Sequence, residues 1–362
     1  MFSLKPKSLA ADKSDKIGRI LVFVYLAMFF CFLVLPLFAL MSKSMQNADG
    51  VFVGLENFAL YLKDPTLFKS FFHSLFVAFV STVIVVCLGF LYAFALQCTC
   101  IPFKGLFRVV SLIPLLSPSI LAAIALVYWF GNQGVFKEML LGHSIYGPIG
   151  IIMASVYWTF PHALMILSTS LSLSDARLYE ASDALKASKL RTFFTVTIPG
   201  AKYGIISTTF VVFILVFTDF GVPKVIGGNY NVLATDIYRE VVGMQNFQMG
   251  AVISIVLLIP ALLAFALDQF SRKRQASQLT SRAVVYVPKP HKLRDNLLLC
   301  YCLLITALVF LMLGMAQFGA LVKFWPYNLS LTLKHYNFEV AGLGWDSFFN
   351  SVRMSLYAAF FG

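Results

Sequence analysis

Few side chains in this sequence stand in patterns that chemistry can use, and most of them fall in one polar stretch. Tyr179-Glu180-Ala181-Ser182-Asp183-Ala184-Leu185-Lys186-Ala187-Ser188 lies between two strongly apolar runs and is closed by Thr197-Ile198-Pro199. Leu178, Ala181, Ala184 and Leu185 recur at three- and four-residue spacing. This predicts a short helix with one apolar face and one face carrying Glu180, Asp183 and Lys186. Such a helix lies along a membrane surface or docks on a partner; the alternative is an ordinary solvated loop. Ile198-Pro199 is expected to end the local helix, because proline donates no backbone hydrogen bond and disfavours helix in the residue before it. Asp219 closes another apolar run, with Phe220 beside it. An ionisable group at membrane depth is costly unless it pairs or lines a wet cavity. Lys224 is the candidate partner; otherwise Asp219 borders a solute path, where it would favour an ammonium group. His162, next to Pro161, is a second candidate for such a path, with a hydrogen bond inside a helix bundle as the plainer reading.

Other chemistries are missing. No Gly-x-x-x-x-Gly-Lys-Ser/Thr loop cradles nucleotide phosphates, so ATP hydrolysis is expected on a partner subunit and not here. Neither a His-Glu-x-x-His helix nor a Gly-x-Ser-x-Gly elbow is present, which argues against an intramembrane hydrolase. Of the six cysteines, Cys31, Cys87, Cys300 and Cys302 lie in apolar runs, where Cys is a small apolar filler. Cys98-Thr99-Cys100 lacks further ligands and makes a weak metal site. The expectation is a non-enzymatic chain with no cofactor and no metal of its own.

The elements that position these residues follow from composition. Apolar residues make up 59% of the chain and charged ones only 12%, against about a quarter charged in a soluble domain. The sequence is that of an all-α polytopic membrane protein. A net charge of +12 would suggest nucleic acid for a soluble protein, but here it reports topology and no nucleic-acid partner is expected. Seven apolar runs are read as spans: 17–41, 71–96, 106–130 broken by Pro114 and Pro118, 148–171 with Pro161 inside it, 201–217, 250–266 and 297–322. A secretory signal would have a shorter apolar region and a cleavage site, so the first run is read as a retained span. With the amino terminus inside, the inner segments carry nineteen Lys and Arg, beginning with Lys5, Lys7, Lys13 and Lys16, and the outer ones eight. That bias puts the 179–188 stretch in the cytoplasm.

Glu180-Ala181-Ser182, three residues, Lys186-Ala187-Ser188 and then Ile198-Pro199 resemble the Glu-Ala-Ala docking loop of binding-protein-dependent ABC importer permeases. Ser182 stands where that family has its second Ala and Lys186 where it has Gly. Gly permits a left-handed turn there and Lys resists it. Further segments, among them Gly131-Asn132-Gln133-Gly134, Thr218-Asp219-Phe220-Gly221-Val222-Pro223 and Val232-Leu233-Ala234-Thr235-Asp236, are similar to 2-aminoethylphosphonate importer permeases. These belong to the iron(III), thiamine and spermidine branch of type I permeases. The resemblance implies a type I permease fold in a bacterial inner membrane, two ABC ATPase subunits below and a periplasmic solute-binding protein. It assigns docking to Glu180, Ala181, Ser182, Ala184, Lys186, Ala187, Ser188 and Pro199, with Glu180 pairing a basic group on the ATPase. It leaves Asp219, His162 and Phe220 as solute-path candidates. The rival is a secondary carrier driven by an ion gradient, which usually keeps several acidic residues in its spans, where only Asp219 qualifies here.

Ser70-Phe71-Phe72-His73-Ser74-Leu75 recurs as Ser347-Phe348-Phe349-Asn350-Ser351-Val352, with Asn57-Phe58 and Asn337-Phe338 upstream. The expected organisation is a head (1–16), one six-span unit (17–270, core about 70–270, docking loop 172–199), a basic linker (271–296), and the first span and a half of a second unit (297–362). Because the apolar run at the end is too short to cross, the second copy is expected to be incomplete. A second permease unit or a second copy is then an expected partner, and an inert fragment a further alternative.

Overall fold

Long apolar runs find no water in a bilayer for their backbone groups and must close their hydrogen bonds internally as helices. The computed structural model describes residues 13–278, 284, 286–337 and 344–362. In chain order its helices are α1 (Ile17–Ser44), α2 (Glu56–Lys63), α3 (Pro65–Cys98), α4 (Lys104–Leu116), α5 (Ser119–Phe130), α6 (Pro148–Ser172) and α7 (Ala176–Ala184). They continue as α8 (Lys189–Gly200), α9 (Lys202–Phe217), α10 (Gly221–Ile226), α11 (Leu233–Tyr238), α12 (Phe247–Gln278), α13 (Lys292–Leu321) and α14 (Asp346–Phe361). Lys5, Lys7, Arg282 and Phe338, on which parts of the head, linker and repeat readings rest, lie outside the described residues.

Among the described residues five helices are long and apolar enough to cross a membrane: α1, α3, α6, the Phe247–Phe270 part of α12, and α13. The remaining two apolar runs are bent pairs, α4 with α5 at 99° and α8 with α9 at 64°. The proline-broken third run is thus divided far more sharply than a kinked span. Ser117 and Pro118 are both extended, and α5 starts afresh after Pro118. Pro161, by contrast, breaks nothing and sits inside an unbroken α6. Pro199 also departs from expectation: α8 runs through it to Gly200, after a π-helical stretch Phe193–Thr197. Pro199 falls in the first turn after that stretch, where the missing N–H costs no ladder bond.

The segments read as outer are also more structured than their polarity suggested. The excursion 42–70 contains α2 and the first turn of α3, and the segment 219–249 contains α10, α11 and a π-helical turn, Arg239–Gly243. A two-stranded antiparallel hairpin, Val322–Phe324 with Asn328–Leu331, departs from the all-α reading after α13.

The chain divides into two compact units: Met1–Phe68 with Asp236–Val256, and Lys69–Thr235 with Leu257–Gly362. In the second, α9 packs along α6, and α5 is held between α6, α10 and α13. Gly204 makes the first contact possible, since a Cβ there would lie 2.3 Å from Ser170 Cβ. The hydroxyl of Tyr301 on α13 donates to the Leu88 carbonyl on α3 at 2.8 Å. In the first unit, the Asn57 amide donates to the carbonyls of Ser44 and Gln46.

Candidate functional site

The polar stretch folds as the sequence suggested, into a short helix and a return. Asp175 caps α7, its carboxylate accepting from the Arg177 N–H at 3.1 Å. The buried face carries Ala176, Tyr179 and Ser182, a three-residue spacing. It turns toward α8: the Tyr179 hydroxyl donates to Thr197 Oγ1 at 3.1 Å, and Ser182 and Thr192 share a hydroxyl hydrogen bond of 2.7 Å. The apolar row read from the sequence lies elsewhere. Leu178 and Leu185 are 55% and 82% exposed, and Ala181 and Ala184 are exposed with them. Leu190 and Phe194 on α8 are also bare.

The helix ends in a Schellman motif, with the Ala187 N–H bonded to the Ser182 carbonyl and the Lys186 N–H to the Asp183 carbonyl. The left-handed residue such a motif requires is Lys186, at φ +53°. The turn expected of Gly is therefore made by Lys. Ser188 then caps α8, accepting from the Arg191 N–H.

Asp183 is the electrostatic centre of this loop. Lys189 Nζ lies 2.8 Å from one carboxylate oxygen and Lys289 Nζ 3.0 Å from the other. Hydrogen bonds from Lys189 and then Lys289 hold its carboxyl below the ordinary range. Burial pushes the Tyr179 hydroxyl up to about 12. Glu180 faces a cleft of about 520 Å³ shared with Tyr179, Asp183, Lys189, Tyr286 and Lys289. Its carboxylate points to this linker side of α7, while the exposed leucines form another.

The Asp219 oxygens accept from the Ser119 hydroxyl at 3.1 Å and the Val222 N–H at 2.9 Å. The carboxylate thereby ties the α4–α5 break to the first turn of α10. Phe220 is the residue preceding α10. His162 is elsewhere, edge-on to Trp158 with centroids 5.8 Å apart. Its Nδ1, Trp158 Nε1, Tyr157 Oη and Ser155 Oγ are buried without a hydrogen-bond partner among the described residues.

Three buried carboxylates escaped the sequence reading. Asp268, 5% exposed, accepts from the Ser207 hydroxyl and lies within the span Phe247–Phe270, which extends past the expected end at 266. Asp236 and Glu240 are buried on either side of Arg239, which lies 3.3 Å and 3.5 Å from them. The spacing of an acid three residues before and one after an arginine was the available signal. Among the described residues no three His, Cys, Asp or Glu side chains converge closely enough to hold a metal ion.

Residues 102–276, which include the broken α4–α5 pair, the docking-type loop and α9 to α12, match the family described as binding-protein-dependent transport system inner membrane component. The chain is 28% identical over 349 residues to the ferric transport system permease protein FbpB of Actinobacillus pleuropneumoniae, covering 92% of this chain and 49% of that protein. It is also 28% identical over 242 residues to the spermidine/putrescine transport system permease protein PotB of Escherichia coli (strain K12), covering 63% of this chain and 88% of that protein. The chain thus spans about half the length of the ferric-transport relative. A chain in the crystal structure of a bacterial alginate ABC transporter, in complex with an alginate pentasaccharide-bound periplasmic protein, superposes with a TM-score of 0.56 at 14% identity, covering 75% of this chain and 98% of that one. The shared fold is that of type I importer permeases.

Proposed function

We infer that this chain is the solute-path subunit of an ATP-driven importer in a bacterial inner membrane, working with ABC ATPase subunits and a periplasmic solute-binding protein. The observation that carries this reading is the docking-type loop. A helix with its polar groups satisfied inward leaves Leu178, Ala181 and Leu185 bare, and a capped, clamped loop moves as one body. Bare leucines on a short helix at the membrane edge suit a groove on a separate protein. The chain contains no phosphate-binding loop of its own. A second permease unit completes the assembly: no residue in the apolar window of α1 is buried within this chain, which leaves that helix a full surface for a neighbour.

The solute we assign is 2-aminoethylphosphonate, on the resemblance of the 218–236 segment. The ferric and polyamine relatives supply the competing cargoes. The test of the subunit reading is co-purification with the ATPase. Leu178→Asp with Leu185→Asp should leave membrane insertion intact and weaken ATPase capture at least about tenfold; unchanged capture overturns it. Uptake of radiolabelled 2-aminoethylphosphonate, spermidine and ferric iron into vesicles, with and without ATP, ranks the cargoes.

A further inference from the structure

The linker that follows α12 is not a free tether. Where it is described, residues 284 and 286–290 run back across α7. The Ala176 N–H, the first of α7, donates to the Val284 carbonyl at 2.9 Å. The Tyr286 ring stacks on Tyr179 with centroids 4.0 Å apart and planes 27° from parallel. Lys289 reaches Asp183. The strand is then fastened to the base of α13: Arg294 Nη2 donates to the Lys289 carbonyl at 2.8 Å, and its Nε to Asp295 at 2.9 Å. The Asp295 carboxylate in turn accepts from the His291 N–H at 2.9 Å. Three kinds of contact at the α7 end and a closed hydrogen-bond ring at the α13 end leave little slack between them.

We propose that Tyr286 and Lys289 are positioning residues that strap the docking-type helix to α13, so that a push on α7 is delivered to α13 as well as to α9. This rests on the permease reading given above. Without the strap, α7 would pass motion through α8 into α9, across the bend at Ala201, and into α3, where Phe193 meets Phe90 and Phe94. With it, a displacement of α7 also pulls on the base of α13, which is seated against α4 and α5. The contacts are of two types. The ring stack is short-range and insensitive to salt, whereas the Lys289–Asp183 pair is exposed and weakens with ionic strength. Tyr286 therefore sets the position and Lys289 the orientation.

The test uses the full chain with its ATPase in liposomes, with spin labels at the exposed Leu293 at the base of α13 and the exposed Leu116 at the end of α4. Mg-ATP should shift the Leu293–Leu116 distance in the parent protein. Tyr286→Ala with Lys289→Ala should reduce that shift by more than half at unchanged ATPase binding, and Tyr286→Phe with Lys289→Arg should restore it. The same shift in the alanine variant overturns the strap, as does no shift in a parent that binds the ATPase. Failure of the parent to bind any ATPase counts instead against the permease reading. Should the alanine variant not fold, amide exchange of the parent decides. The amides of Ala176 and His291, which donate to the Val284 carbonyl and the Asp295 carboxylate, must exchange more slowly than in an open chain, with slowing lost at Ala176 when Tyr286 is replaced by Leu; exchange of both at the open-chain rate overturns the proposal.

Discussion

Lys186 occupies the backbone conformation that an L side chain accepts least readily, and it does so at the end of the helix on which the functional reading turns. The left-handed region costs a non-glycine residue about 1 kcal/mol. Lys186→Gly should therefore raise the thermal midpoint of the detergent-purified protein, and Lys186→Val, whose branched Cβ fits that region worst, should lower it. Equal midpoints for the two would mean that the turn is not held left-handed. Asp183 gives a second prediction at this scale. Its carboxyl is depressed by Lys189 and Lys289, so the contribution of its ionised form is present above the ordinary carboxylate pKa and lost as pH falls through the lower folded value. A carbon-detected titration of Asp183 should show an inflection below that of an Asp in an unfolded peptide. Moderate salt should move it back toward the ordinary carboxylate value, since both lysines are exposed.

Among the elements, the α6–α9 contact and the α4–α5 break are two places where geometry leaves little room. A methyl at Gly204 meets Ser170 at well under contact distance. Gly204→Ala should force the helices apart and cost about 1–3 kcal/mol, read as a lower midpoint. The double variant with Ser170→Gly should recover most of it. The break between α4 and α5 is stitched by Asp219 to Ser119 and Val222. Asp219→Asn retains an acceptor for the Val222 N–H, whereas Asp219→Leu removes it. If the carboxylate only caps, Asn should transport like the parent and Leu should not; if its charge meets an ammonium group in transit, both should lose uptake at equal membrane abundance.

For the whole molecule, topology is the prediction with the most reach. In a variant lacking the six native cysteines, Leu185→Cys and Leu141→Cys place exposed thiols at the docking-type loop and at the segment before α6. An impermeant maleimide applied to intact cells should label position 141 and not 185. The reverse pattern would remove the inner-face placement on which ATPase docking depends. The distribution of Lys and Arg makes the same forecast, because translocation of positive loops is disfavoured.

Apolar run length was enough to read five membrane-length helices, a helical core and the position of the short loop helix, since hydrogen-bond closure in lipid leaves the backbone few alternatives; the other two apolar runs are bent pairs. The capping roles of Asp175 and Ser188, though local, went unread. Which face of α7 would be buried was not legible, because Tyr179 and Ser182 pack inward only where Thr197 and Thr192 return to meet them. The same holds for Asp268, whose partner Ser207 lies 61 positions away, and for the contacts of the basic linker with α7. Sequence determines what each segment can satisfy by itself. The tertiary structure decided the rest, because a hydroxyl, a ring or a carboxylate takes its role from the distant segment that supplies its partner.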